Sequence, residues 1–251
     1  MNNTTLPDRV PVSDLVKLAR AQRILAMDGH DDITLGHMSL RDAAGRGLWI
    51  KKALRGIDEV WDENDFVLID WDGNPILNHG PLHSEWPIHA RIMARRPEVN
   101  VVGHTHARYS VLFSASDQEL LALNHEGANL VGRVARFTRT AGLINTVELG
   151  DELAAVLGDN PVGLLKNHGI VFTGESIEES TLNGMFLERA CRMQVTMAAT
   201  GWAWSAPSGG DHDRKMGETA SAAKKYHIAF FEYFERRLER SERLASSGPA
   251  P

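Results

Sequence analysis

The sequence predicts one mixed α/β domain built on a central, largely antiparallel sheet. Three observations predict it. Four short strand-like segments follow one another early in the chain, with turn residues between them. Helical-period segments then alternate with apolar strand-like runs, the pattern of helices packed on a sheet. No internal repeat and no domain-scale change of composition divides the 251 residues.

Taken in order, residues 1–12 are polar with two prolines and are expected to be flexible. From Ser13 to Met27, Leu15, Leu18, Ala19, Leu25 and Ala26 recur at helical spacing, with Ser13 as the expected N-cap and Gly29 as the stop. DDITLGHMSLRD reads as a turn and a short strand. GLWIKKAL and DFVLIDWDG read as strands, the second closing on an Asp-Gly turn before NPIL. Ser84 is the expected N-cap of a helix running to about Arg95, with Glu85 and Trp86 in its first turn. Pro87 is tolerated there because first-turn amides have no intrahelical partner.

Pro97 closes that helix, and VNVVGHTHARYS reads as one strand. Ser116 to Leu121 is a polar connection, NHEGANLVG a loop and ARFTRTA a weak strand. TVELGDELAAVL reads as a helix, and PVGLLKNHGIVFTG as strand, turn and strand. From Ser176 to Thr200 the pattern is a long amphipathic helix, opened by a capping box of Ser176 and Glu179. Pro207 to Gly210 is a linker. Glu218 to Arg243 forms a last helix carrying Tyr226, Phe230, Phe231, Tyr233 and Phe234, and the final residues read as disordered.

Composition narrows the function classes. The net charge of −6, with both signs dispersed, leaves no basic footprint for nucleic acid. Cys191 is the sole cysteine and can form no internal disulfide, which fits a reducing cytoplasm. MNNTTLPDRV lacks the apolar core of a signal peptide. No run reaches the roughly 18 apolar residues of a membrane span. A soluble, cytoplasmic, globular protein is expected.

The chemistry concentrates in LHSEWPIHARIMARRPEVNVVGHTHA, residues 82–107. Residues i and i+2 of a strand point to the same side, so His104 and His106 can present both imidazoles to one point. Paired imidazoles after an apolar strand are a recurrent divalent-metal grip, suiting zinc, manganese, iron or cobalt. His168, in the tight Asn-His-Gly turn of GLLKNHGIVFTG, is the candidate third ligand. Spacing alone leaves Glu85 open between a functional carboxylate and one that merely complements the helix dipole. His89, one turn later on the same face, is either an outer partner or an exposed i,i+4 neighbour.

SEW-x-x-H, then HTH, then KNHG at these separations resembles the class II aldolase/adducin family over about residues 13–200. The resemblance implies a single α/β/α catalytic domain, spanning 13–205. Residues 206–251 then form a linker, a C-terminal helix and a tail packed on the domain or on a neighbouring subunit. It implies a homotetramer with active sites between subunits and one divalent metal ion per subunit, with no organic cofactor. The ion is expected on His104, His106 and His168, with Glu85 as a further ligand or as the catalytic acid/base. His125, in the loop after the metal strand, and the C-terminal tyrosines Tyr226 and Tyr233 are candidates to reach a neighbour's site.

Departures from the family pattern bear on the substrate. Phosphate-using members carry a Gly-Asn turn and a small-hydroxyl loop; this chain has Gly36-His37-Met38-Ser39 and Lys51-Lys52-Ala53-Leu54-Arg55. The usual Ser-Ser before the glutamate is His83-Ser84. Imidazoles and cations in place of amide-rich turns suggest recognition of a planar carboxylate or hydroxyl. The expected contact set is His37, Ser39, Arg41, Lys51, Lys52, Arg55 and Ser84, with His83 beside Glu85 as a second proton donor. The alternative is that the two lysines are solvated strand ends and His37 is merely packed. This set is similar to the decarboxylase branch, which acts on hydroxylated aromatic or heteroaromatic dicarboxylates such as a dihydroxyphthalate. An aldolase of hydroxy-keto or sugar-phosphate substrates, and a metal-free assembly domain like the adducin head, are the other two readings.

Overall fold

The computed structural model describes residues 10–246. Its eight strands are β1 (His37–Arg41), β2 (Leu48–Lys51), β3 (Phe66–Ile69), β4 (Pro75–Leu77), β5 (Val101–Thr105), β6 (Val134–Phe137), β7 (Val162–Leu165) and β8 (Gly169–Gly174). They form one sheet in the order β4-β3-β2-β1-β5-β8-β7-β6. The helices are α1 (Val12–Leu25), α2 (Trp86–Arg95), α3 (Arg108–Ser114), α4 (His125–Leu130), α5 (Val147–Leu157), α6 (Ile177–Thr200) and α7 (Gly209–Ser246).

Side-chain alternation along the strands explains the three layers. Trp49, Phe66, Leu68, Val101, Ile170 and Phe172 point into one core, shared with α1, α3, α4, α6 and α7. Their neighbours Leu48, Ile50, Val67, Ile69, Val102 and Val171 point into a second core beneath α2 and α5. A sheet buried on both faces must be apolar on both, and these strands are. Phe231, Phe234 and Leu238 of α7 belong to the first core, so the C-terminal helix packs on the domain.

The sheet is mixed. Each described pairing is antiparallel except β6 with β7, which run parallel because α5 carries the chain back across the sheet between them. Several local expectations need correction. Helix α1 starts at Val12 with Pro11 in the cap position and no side-chain cap, so Ser13 lies inside the helix. Glu85, not Ser84, occupies the cap position of α2, and it makes no cap bond.

The run VNVVGHTHARYS divides, with β5 ending at Thr105 and α3 starting at Arg108. What starts α3 is distant. The Glu188 carboxylate on α6 accepts the Tyr109 amide at 3.0 Å and the Ser110 amide at 2.7 Å. NHEGANL is helical too, capped by Asn124 Oδ1 accepting the Gly127 amide at 2.8 Å. Ser176 caps α6 by accepting the Glu179 amide at 3.2 Å, but Glu179 reaches back to the Glu175 amide rather than to that of Ser176. Helix α7 begins at Gly209, well before Glu218, and takes in part of the expected linker. Most of the N-terminal stretch expected to be flexible, and the last residues of the tail, lie outside the described residues.

Candidate metal centre

Four side chains from three separate parts of the chain meet at one point. Ligand atoms of Glu85, His104, His106 and His168 all lie within 4.8 Å of one another. Strand period places the first pair. His104 follows Val102 by two residues and so faces α2, whose N-terminus delivers Glu85. His168 is set by the β7–β8 turn, in which Asn167 takes the left-handed conformation (φ 56°) and the His168 amide donates to the Leu165 carbonyl at 3.0 Å. Asparagine is among the few residues that visit that region routinely.

The protonation pattern of the rings points to a cation. Nδ1 of His104 donates to the Ile170 carbonyl at 2.8 Å, and Nδ1 of His106 donates to the Asp32 carboxylate at 2.7 Å. With those protons committed to outer partners, the two Nε2 atoms face each other as lone pairs across 3.1 Å. Both nitrogens of His168 are buried without a partner. Glu85 adds Oε2 at 3.6 Å from His104 Nε2 and Oε1 at 3.6 Å from His168 Nε2.

Facing lone pairs repel, and each buried unsatisfied group costs about 1–3 kcal/mol. One divalent ion would remove both penalties. Zinc–imidazole bonds of about 2.0–2.1 Å in a tetrahedron separate two nitrogens by roughly 3.3 Å, close to the spacing found. The donor set fits such an ion, and the Asp32 and Ile170 partners orient its ligands.

Electrostatics follow from burial. Burial by itself would raise the Glu85 pKa, and the Ile144 amide, which donates to Oε1 at 2.8 Å, acts in the opposite direction. Burial also keeps His106 below its ordinary value despite Asp32.

The sequence itself carries a decisive likeness. The model of the family described as "Class II Aldolase and Adducin N-terminal domain" matches residues 16–195. This chain belongs to the class II aldolase/adducin family. A 3,4-dihydroxyphthalate decarboxylase of Terrabacter is 31% identical over 199 residues, covering 74% of this chain and 82% of the relative. An L-fuculose phosphate aldolase of Methanococcus maripaludis is 30% identical over 158 residues, covering 63% of this chain and 83% of the relative. A crystal structure of an aldolase II superfamily protein from Pseudomonas syringae superposes with a TM-score of 0.81 at 27% identity, covering 93% of this chain and 96% of that one.

Around these four side chains, this class II aldolase domain adds buried imidazoles. His37 on β1 lies opposite His104 in the β1–β5 register, its ring 5.2 Å from that of His104 and 4.2 Å from that of His83. His89 is fully buried, with Nε2 at 2.7 Å from His37 Nδ1 and Nδ1 at 2.7 Å from Ser39 Oγ. It is thus no exposed helix partner. Burial, aided by neighbouring rings, lowers His89 to about 3; with Lys51 also nearby it lowers His83 to about 3 and His37 well below its ordinary value.

The cations expected to meet a substrate are engaged elsewhere in the chain. Lys51 is fully buried, and its Nζ donates to the Arg55 carbonyl and, at 3.1 Å, to that of Lys52. Burial lowers its pKa to about 8. Arg55 pairs with Asp65 at 3.0 Å, and the Arg41 guanidinium donates to the carbonyls of Met93, Arg96 and Val99. Lys52 is half-buried and Ser84 exposed.

A cavity of about 1240 Å³ opens beside the ligand cluster and includes His106, His168, Asp32, Arg108 and Arg192. His125 and Tyr233 line a separate cavity of about 880 Å³ between α4, α6 and α7. Tyr226, 42% exposed, lines neither of these two cavities. Sequence reasoning missed Asp32, His30 and Arg108. His30 holds Thr105, the residue between His104 and His106, through Nδ1 at 2.9 Å. DGHDD, which contains His30 and Asp32, was visible only as a polar turn. No helix among the described residues is long and apolar enough to cross a membrane.

Proposed function

We propose that this chain is a divalent-metal-dependent carbon–carbon lyase, and within that class a decarboxylase of a hydroxylated aromatic or heteroaromatic dicarboxylate. One observation carries the finer part. Beside Glu85 and His104 stands a pair of buried imidazoles, His37 and His83, with ring centroids 4.2 Å apart. Flat uncharged rings suit a planar substrate ring better than a phosphate, which favours amide cradles and cations. The likeness to a dihydroxyphthalate decarboxylase supports the same reading.

A divalent ion on His104, His106, His168 and Glu85 would supply Lewis acidity toward negative charge developing on a substrate oxygen. The chain's own groups handle the proton. Loss of carbon dioxide breaks the bond between the ring carbon and the carboxylate and leaves its electron pair on that carbon. Glu85 receives a proton from a substrate hydroxyl and returns it to the carbon. His83, buried with Nε2 unpartnered, is the second group within the same cluster for that transfer.

A homotetramer belongs to this proposal, because exposed His125 and Tyr226 could then serve a neighbour's centre. An aldolase reading shares the ligand set and is supported by the fuculose phosphate aldolase relative. Metal-loaded protein incubated with 3,4-dihydroxyphthalate should release carbon dioxide. Release of an aldehyde from fuculose phosphate, with no carbon dioxide from the phthalate, would replace the decarboxylase reading by the aldolase one.

A further inference from the structure

Behind the metal centre runs a short chain of buried polar groups that ends on a carbonyl. His37 Nδ1 and His89 Nε2 are 2.7 Å apart, so one of them carries the proton and the other accepts it. The direction can be read from the far end. The Ser39 hydroxyl donates to the backbone carbonyl of Val102 over 3.4 Å, and a carbonyl only accepts. With its proton committed there, Ser39 Oγ accepts from His89 Nδ1, which lies 2.7 Å away, so the His89 proton sits on Nδ1 and Nε2 is turned bare to His37.

Neutral His89 with Nδ1 protonated has a bare Nε2, which can only accept from His37 Nδ1–H. The protonated nitrogen of a neutral His37 is then fixed, and its Nε2 is left as a lone pair that makes no hydrogen bond among the described residues. The row is a pin and not a proton wire, because Val102 has no proton to supply. Among the described residues no carboxylate hydrogen-bonds to His37, His83 or His89, so nothing in the row compensates a buried imidazolium.

We infer that Ser39 and His89 are positioning residues that hold His37 in the Nδ1–H tautomer, making its Nε2 an acceptor for a neutral hydroxyl of the substrate beside the metal centre. This deepens the decarboxylase proposal and rests on it for the identity of the ligand. It also changes the expected role of His37, which could not bind a carboxylate through a nitrogen that has no proton. The substrate class favoured is one with a free hydroxyl next to the oxygen that meets the metal, such as a catechol-type acid.

Two measurements on the full chain test this. Nitrogen-15 spectra of histidine-labelled protein, with and without zinc, should show His37 protonated on Nδ1 and bare on Nε2. In His89→Phe that preference should vanish, and His89→Gln, whose side-chain carbonyl can accept, should restore it. Calorimetry with 3,4-dihydroxybenzoate and its two mono-methyl ethers should show that methylating one hydroxyl weakens binding to the native protein more than to His89→Phe, by roughly three- to tenfold. A proton on His37 Nε2 in the native chain overturns the inference, and that result needs no variant to fold. Equal methylation penalties in both proteins, or no binding of the dihydroxy acid at all, overturn the acceptor role. Binding without release of carbon dioxide from the dihydroxyphthalate overturns the decarboxylase reading alone.

Discussion

Gly169 lies against His106 so closely that a Cβ on it would sit 2.7 Å from the ring's Cδ2 and 2.6 Å from the Thr105 carbonyl oxygen. The residue after one metal-ligand candidate therefore sets the room available to another. Neither Thr105, held in the β5–β8 ladder, nor the His106 ring, held by Asp32, can withdraw without breaking a hydrogen bond.

Gly169→Ala should accordingly damage the centre while leaving every ligand in the chain. The expected outcome is a zinc affinity lower by about tenfold or more, since ligand orientation of this kind is worth 10–100-fold. Competition with a chromophoric chelator measures it, and circular dichroism checks that the helices survive. Unchanged affinity would mean that the rings are not confined as described.

Asp32→Ala removes the acceptor that keeps the His106 proton on Nδ1. Zinc affinity is expected to fall about 10- to 100-fold. Asp32 is half-buried in a turn, so the midpoint of thermal unfolding without metal should change little. An equal loss of stability and affinity would assign Asp32 a merely structural role.

Glu85→Gln keeps the size of the side chain and removes its ability to carry a proton. Turnover of the substrate should drop by about 10²–10⁴-fold while the metal is retained on the three histidines. Undiminished turnover would remove Glu85 from the proton transfer.

Lys51 gives a pH signature of stability. Its pKa is about 8 in the folded chain against an ordinary 10.5, with burial as the main cause. Between those values the unfolded chain binds the extra proton, so stability rises with pH across that window and is lowest below about 8. The gain is bounded at about 3 kcal/mol. Urea unfolding of the native chain and Lys51→Met at pH 7 and pH 10 should show the rise in the native protein and a flatter profile in the variant. Parallel profiles would contradict it.

What was legible in the sequence was whatever local periodicity encodes. The period of two placed His104 and His106 on converging vectors, and the Asn-His-Gly turn marked His168, because φ constraints act within a few residues. Eight strand segments and most helices could be read in the same way, with Ser176 found as a real cap. The misses are long-range. Asp32 reaches His106 over 74 residues, and Glu188 starts α3 from 78 residues away, distances at which no spacing rule operates. Lys51 and Arg41 misled for a related reason. A cation in a strand reads as a surface charge, yet both are held by backbone carbonyls brought near only by the tertiary fold.

The central claim is that His104, His106 and His168 share one divalent ion with Glu85. Elemental analysis of the purified chain, alongside His104→Ala and His168→Ala variants, tests it most directly. One zinc, manganese, iron or cobalt ion per chain is expected in the native protein, with strong loss in both variants. A native chain that binds no divalent metal, or variants that retain it in full, would contradict the account.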